Sequence, residues 1–388
     1  MTDSNTSSFD LREHARKRPG MYIGGIDARA LHQLFFEALD HAIDEAVIGR
    51  CDQIWITLLP ENQVIIQDNS LGLPIIHVDR ENMSIMEAVL ERSGIFRDPH
   101  GEYEATGSSF GVGLRAVNAL SSEMRVENRY NGQLWTKIYH EGLPDGPLQQ
   151  MASIPESEHG LKLTFAPDFS ILEPNPFDFE RIVGRCRELA YLIAGLKITI
   201  RDERAAPIRE ETTYAAEGLK TWVTNLNEGH SVLYEPIHIA EDVVLEYRVG
   251  SPYTIKIEFA CQFTECKESH ILSYVNTVFT VGGFHVKGLM AAIVNKFNAK
   301  LMYHHLTSEP VLFIWDEIAS GLSAVIAIQI PDPQYMSQSQ MELMNPEVYG
   351  PVATVITKAL DMASYEGLEQ VFTYLLKCRT SHSPNSAV

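Results

Sequence analysis

The sequence predicts an α+β protein with two mixed domains, and three observations carry that expectation. β-rich runs and helical runs with apolar i, i+3, i+4 spacing interleave along the whole chain, without the strict alternation that marks a parallel βαβ sheet. The chain has 388 residues, more than one hydrophobic core ordinarily serves. A polar connection over residues 202–230 separates two such mixed blocks. The expected organisation is an N-terminal arm over 1–25, a first domain over 26–205 and a second over 206–388.

The elements follow in order. Residues 1–25 are polar and end in RKRPGMYIGG, where Pro19, Gly20, Gly24 and Gly25 mark an ordered loop. The next segment, 29–48, has helical periodicity. CDQIWITLLPENQVIIQD reads as a hairpin, with turn chemistry at Pro60, Glu61 and Asn62. SIMEAVLERSG is helical, with Gly94 as a stop. From Phe96 to Phe110 the chain is polar and glycine-containing and reads as a loop, after which GVGLRAVNALS opens a helix directly from glycines. MRVENRY, QLWTKIYHEG, LKLTFAPD and LKITIRDE are strands, with the helix FERIVGRCRELAYLIAG between the last two. The first domain is thus a two-layer sandwich. In the second, GLKTWVTNLNEG is helical, and VVLEYRVG, TIKIEFACQF, SYVNTVFTV and SAVIAIQIPDP are strands. MAAIVNKFNAKLMYHH is a helix, and VATVITKALDMASYEGLEQVFTYLLK reads as one long terminal helix.

Composition excludes several classes. With 31 basic against 51 acidic residues the formal charge is −20, so a DNA-coating surface is not expected. No apolar run approaches the roughly 18 residues of a membrane span, and the polar start MTDSNTSSFDLREHARKR is not a secretory signal. A cytoplasmic protein without membrane contact is the expectation. Five cysteines, an odd number, argue against a disulfide framework.

Within FEALDHAIDEA, residues 36–46, Glu37, Asp40, His41, Asp44 and Glu45 share one helical face, while Leu34, Phe35, Ala38, Ala42 and Ala46 share the other. Carboxylates at i, i+4 repel by a few tenths of a kcal/mol per pair. The acidic face therefore meets either water or something positive. Downstream lie a strand-end aspartate, Asp68, followed by Gly72, and a glycine-containing loop, TGSSFGVG, feeding a helix. Backbone amides at Gly111 and Gly113 with a helix N-terminus suit phosphate. Asp68 can accept from an amino group such as that of adenine, and Gly72 would let a flat base approach the backbone. Phosphate with Mg2+ would then explain the acidic face.

These stretches resemble a known family. RKRPGMYIG (17–24), FFEALDHAIDEA (35–46), QDNSLGLP (67–74), GVGLRAVNALS (111–121), GGFHVKGL (282–289) and IPDPQYMSQSQMEL (330–343) stand in the order found in the N-terminal ATPase and transducer region of the B subunits of DNA gyrase and topoisomerase IV, members of the GHKL ATPase superfamily. The resemblance implies a Bergerat-type α/β sandwich that binds ATP, followed by an α+β transducer of the ribosomal protein S5 domain 2-like kind. It implies Glu37 as the general base, Asp68 as the adenine reader and Gly107, Gly111 and Gly113, with Val112 between, as the phosphate lid. Gln338 takes the place of a transducer residue near the γ-phosphate, and Asp44 and Tyr103 fall at nucleotide-pocket positions. A homodimer working with a gyrase A-like subunit, with weak or no DNA binding by this chain itself, is the implied assembly.

The sequence also departs from the family pattern. The magnesium-binding asparagine is His41, a poor ligand for a hard cation. An arginine at the pocket rim is Leu71, the lid reads Gly107, Ser108, Ser109, Phe110, Gly111, and the threonine after Gly160 is Leu161. The lysine that contacts the γ-phosphate is Gln340. These changes lead to the expectation of a nucleotide-dependent dimerising clamp whose hydrolysis is slow or lost, a pseudo-ATPase. The alternatives are an active ATPase driving strand passage and a nucleotide-free scaffold.

Overall fold

The computed structural model describes residues 10–78, 83–91, 112–246, 252–303, 312–337, 340–363 and 365–380. The chain divides into two compact units, Met1–Ala215 and Ala216–Val388.

Unit 1 opens with three helices, α1 (Leu11–Lys17), α2 (Gly20–Ile23) and α3 (Ala28–Val47). α3 starts where the Asp27 side chain accepts from the Ala30 N–H at 3.0 Å, a cap that ordinarily contributes about 1 kcal/mol. The hairpin follows as β1 (Gln53–Leu58) and β2 (Val64–Asp68), then β3 (His77–Val78), β4 (Met83–Ser84), α4 (Ile85–Glu91) and α5 (Gly113–Ala119). The remainder is β5 (Ser121–Tyr130), β6 (Gln133–His140), β7 (Leu143–Pro144), β8 (Gln149–Ser153), β9 (Gly160–Pro167), α6 (Phe179–Leu192), β10 (Lys197–Asp202) and β11 (Arg209–Tyr214).

The main sheet runs β11-β10-β1-β2-β9-β5-β6-β7, with β8 also paired to β6. Only β1 and β10 are parallel; every other pair in this sheet is antiparallel. The inward residues of the strands, Ile54, Ile56, Val64, Ile66, Leu163 and Phe165 among them, share one core with Leu34, Phe35 and Ala38 of α3 and Ile182 and Leu189 of α6. One face of the sheet is thus covered by helices, the two-layer sandwich that the alternating strand pattern requires. The expected limit of this unit, residue 205, falls just before β11, which pairs with β10 through Lys197↔Tyr214. β11 and β8 were unreadable because REETTY and QQMAS are largely exposed edge segments without an apolar alternation.

Unit 2 comprises α7 (Leu219–Leu226), β12 (Ile237–Leu245), β13 (Tyr253–Phe263), β14 (His270–Val275), β15 (Val278–Thr280), β16 (Gly282–Gly283), α8 (Phe284–Tyr303), α9 (Trp315–Ala319), β17 (Leu322–Gln329), β18 (Glu342–Leu343), α10 (Tyr349–Met362) and α11 (Tyr365–Thr380). Its sheet runs β12-β13-β17-β14-β15. β14 and β17 are parallel neighbours joined through α8 and α9, while β12, β13 and β17 are antiparallel. The core gathers Ile257, Phe259 and Ile326 with Phe297 of α8, Ile356 of α10 and Phe372 of α11.

The terminal helix is a correction. The apolar period through 352–377 predicts one helix, but Ala363 adopts φ −68°, ψ 130°, an extended conformation that ends α10. A fresh helix, α11, then begins at Tyr365 and brings Phe372 to within 5.2 Å of Phe297, ring to ring. The core contact decides the break, and a linear period cannot report it.

Candidate functional site

The site grows from α3. Leu34, Phe35, Ala38, Ala42 and Ala46 are all buried, so the apolar face packs as its periodicity requires. The acidic face is not a solvated one either. His41 and Glu45 are 7% and 5% exposed, and Glu37, Asp40 and Asp44 are half-buried.

Glu37 is held at both oxygens. Gln33 Nε2 donates to Oε1 at 2.9 Å from one turn earlier. Oε2 lies against Gly113, the first residue of α5, where a Cβ would stand only 2.7 Å from it. Two residues expected at the site, far apart in the chain and on different helices, therefore meet. Gly113 is glycine because the carboxylate occupies the space a side chain would take. Val112 is the N-cap residue of α5, and its carbonyl accepts from the Ala116 N–H at 3.0 Å.

Asp40 sits beside Glu37 and responds to it. Enclosure of its carboxyl and the neighbouring Glu37 charge push its pKa up to about 7, against a smaller opposing effect of Arg185 on α6. The folded value lies above the ordinary value near 4. Between about pH 4 and pH 7 the folded chain thus binds a proton that the unfolded chain has lost, and stability falls as pH rises through that window. Asp40→Asn is expected to remove this decline, a gain on the order of 2 kcal/mol at pH 8 given partial solvent access. Thermal melts of both proteins from pH 4 to pH 8 measure it; parallel profiles would contradict it.

His41 is engaged on the acidic stripe itself. The Glu45 carboxyl is raised by burial, with the imidazole of His41 and then Arg50 opposing the rise and Asp68 adding to it. Among the described residues no group of three or more His, Cys, Asp or Glu is arranged to hold a metal ion. An imidazole buried beside Glu45 does not fit Mg2+, which wants near-octahedral oxygen.

Asp68, 3% exposed, ends β2. Its Oδ1 accepts the backbone N–H of Ser70 at 2.9 Å and of Leu161 at 3.1 Å. Among the described residues no group donates to Oδ2. The aspartate is therefore fixed by two amides while one oxygen keeps its acceptor capacity. Position 161 contributes through its backbone, so the side-chain change to leucine leaves that contact intact.

Two glycines shape this corner. At Gly160 φ is +124° and a Cβ would lie 2.1 Å from the Asp68 carbonyl oxygen, so β9 passes the aspartate at a distance only glycine permits. Gly72 has φ +76°, and its missing Cβ faces Asn128 Oδ1 at 2.6 Å and the Arg129 carbonyl at 2.7 Å. The space that a side chain at position 72 would take belongs to β5. Asn128 completes the clamp by accepting from Leu73 N–H at 2.9 Å and donating to Leu73 O at 2.8 Å.

Arg129 was missed by sequence reasoning. Its Nη1 is buried without a hydrogen-bond partner, while its backbone carbonyl lies against the turn that Gly72 forms. One of two arginines in MRVENRY, it carries no linear signal. An unpaired buried donor costs about 1–3 kcal/mol, so the Arg129 guanidinium is held at a cost in the fold.

Tyr103, Gly107, Gly111 and Gln338 lie outside the described residues. Gln340, at φ +55°, donates its N–H to Ser337 O at 3.1 Å in the second unit.

Comparison with known proteins places this geometry. Residues 26–170 match the family described as histidine kinase-, DNA gyrase B-, and HSP90-like ATPase, and residues 218–377 match the DNA gyrase B family. The fold is that of a GHKL ATPase domain followed by a transducer domain. The chain belongs to the gyrase B family, as its N-terminal ATPase and transducer region. It is 34% identical over 381 residues to the DNA gyrase B protein of Clostridium acetobutylicum, covering 96% of this chain and 56% of that protein. The corresponding protein of Archaeoglobus fulgidus is 33% identical over 374 residues, with 95% and 56% covered. The chain thus spans about half the length of the curated relatives it matches. Among solved structures, the 43K ATPase domain of Thermus thermophilus gyrase B in complex with an aminocoumarin superposes with TM-score 0.78 at 28% identity, covering 95% of each chain. The gyrase B protein from Myxococcus xanthus gives TM-score 0.75 at 26% identity, with 95% of this chain and 99% of that one covered.

Proposed function

We propose that this gyrase B-type module binds an adenine nucleotide at Asp68, uses it to govern dimerisation, and hydrolyses it slowly. The observation that carries the reading is Asp68 itself, a buried carboxylate fixed through Oδ1 with Oδ2 left to accept. An exocyclic amino group is the ligand donor that this geometry fits.

Slow turnover follows from what the site lacks. A general base is in place, since Gln33 holds the Glu37 carboxylate at the α5 N-terminus. The residue at the metal position is His41, and the one at the γ-phosphate lysine position is Gln340. A neutral amide cannot offset charge that develops on a phosphate. Glu37 therefore acts as base in a site short of positive charge. Asp44, Tyr103, Gly107, Gly111, Val112 and Gln338 are assigned to the nucleotide pocket by the resemblance.

The relatives are named as one subunit of DNA gyrase, which supports a working homodimer that acts with a gyrase A-like partner. The charge of −20 supports weak or no DNA binding by this chain alone. No helix of the described residues is long and apolar enough to cross a membrane.

The test is a titration with a non-hydrolysable ATP analogue, with and without Mg2+, on the unmodified chain and on Asp68→Asn. The substitution places an amide donor where the base donates, and affinity is expected to fall by about 1–3 kcal/mol, or roughly 10- to 100-fold. Equal affinities of the two proteins, or no saturable binding by either, would overturn the assignment.

A further inference from the structure

We propose that the GGFHVKGL stretch is a clamp that fixes the strand following Gln340, with His285 as the positioning residue that holds the clamp closed. The proposal rests on the reading that places Gln340 at the γ-phosphate, and it gives a role to a motif that the site in the first unit leaves unused.

The clamp grips one carbonyl. The N–H groups of Val281 and Gly282 both donate to the carbonyl of Met341, the residue after Gln340, at 2.8 Å and 3.3 Å. β16 and β18 then run parallel through Gly282↔Glu342 and Gly283↔Leu343. Gly283 has φ +126°, and a Cβ there would stand 2.5 Å from both N and O of Leu343, so the approach requires glycine. A Cβ on Gly288 would meet the Tyr349 carbonyl at 2.7 Å, which seats α8 against the start of α10 in the same way.

His285 closes the 280–285 segment on itself. It lies in the first turn of α8, is 0% exposed, and its Nε2 stands 3.1 Å from Oγ1 of Thr280, the residue that ends β15. Thr280 Oγ1 donates to Ser273 O at 3.2 Å, and Ser273 Oγ donates to Thr280 O at 2.7 Å. Both hydroxyl protons are thus committed, which leaves the imidazole Nε2–H as the donor to Thr280. Nδ1 is buried without a partner, so the Thr280 bond is the polar tie of the ring. Burial pushes the imidazole down to about 4, and the tie is made by a neutral ring at neutral pH.

The other side of β18 is fixed as well. Tyr335 and Leu343 form an antiparallel bridge, Met336 N–H donates to Glu342 O at 3.0 Å, and Met344 N–H donates to Gln334 O at 2.7 Å. Asn345 Oδ1 accepts from Gln334 N–H at 2.7 Å, and Asn276 exchanges two bonds of 2.8 Å with the backbone of Ile330. β18 is therefore held from two sides, and His285 governs the side that α8 provides. A shift of Met341 carries Gln340 with it, and a side-chain amide donor aimed at a phosphate oxygen then loses its alignment.

The experiment pairs amide hydrogen exchange on the whole chain with titrations of ADP and a non-hydrolysable ATP analogue. The proteins are the unmodified chain, His285→Ala, Thr280→Val and His285→Gln. The expected result for His285→Ala and Thr280→Val is faster exchange at Val281 and Gly282 while β13 and β17 stay protected. Affinity for the ATP analogue should fall roughly 3- to 10-fold while that for ADP holds. His285→Gln, which keeps a side-chain N–H donor, should recover most of the protection and of the affinity. Unchanged exchange at Val281 and Gly282, or an equal loss for both nucleotides, would overturn the proposal. So would loss of protection throughout β13 and β17, which would make His285 a core residue and nothing more. If the unmodified chain bound neither nucleotide, the adenine-site reading would fall instead, and the exchange result alone would decide the clamp.

Discussion

His41→Asn combined with Gln340→Lys is expected to raise ATP turnover by roughly 10²- to 10³-fold, more than either change alone multiplied through. An asparagine at 41 returns an oxygen ligand of the kind a hard cation takes, where the imidazole now lies buried beside Glu45. A lysine at 340 returns an ammonium to the position that the resemblance assigns to the γ-phosphate contact. Glu37 needs no change, because Gln33 and Gly113 already define its place. Groups acting on one transition state depend on each other, so the double variant is the informative one. Steady-state phosphate release by the unmodified, single and double proteins decides it. A double variant no faster than the unmodified chain would show that turnover is limited elsewhere.

Gly160→Ala is expected to cost on the order of 3–5 kcal/mol in stability and to remove nucleotide binding altogether. The clash is with backbone: the new Cβ would stand 2.1 Å from the Asp68 carbonyl oxygen and 3.2 Å from Asn69 Cα. No rotamer change relieves it, and φ +124° is itself strained for alanine. Relief requires β9 to move from β2, which breaks the Leu161 N–H bond that orients Asp68. Chemical denaturation with nucleotide titration measures both effects. Gly49→Ala is a useful control, since its φ is +78° but nothing lies within 4 Å of the added atom. If Gly160→Ala proved as mild as Gly49→Ala, the close approach of β9 to Asp68 would be wrong.

The sequence made the long, periodic and locally determined features legible. α3, the β1–β2 hairpin, α6 and the main strands of the second unit fall where period and turn chemistry put them. The motif order also carried the family. What stayed hidden depends on contacts across the chain. Nothing in FEALDHAIDEA says that His41 and Glu45 are buried, because only packing against the sheet decides which edge of a polar stripe meets water. The Gly160 contact joins two strands distant in the chain, and the glycine alone reads as an ordinary turn. Gly72 was legible as a glycine that matters, but its close approach to Asn128 and the Arg129 carbonyl was not. Arg129 has neither a motif nor a period to mark it, and only its unpaired Nη1 distinguishes it.

The central claim is a filled site with a base and too little positive charge. It is tested most directly by measuring ATP binding and hydrolysis on the same preparation of the unmodified chain, with Mg2+ present and Glu37→Ala in parallel. The account predicts saturable nucleotide binding by both proteins and turnover by the unmodified chain that barely exceeds the Glu37→Ala background. Brisk hydrolysis by the unmodified chain, abolished in Glu37→Ala, would contradict it and show that His41 and Gln340 are compatible with an active ATPase.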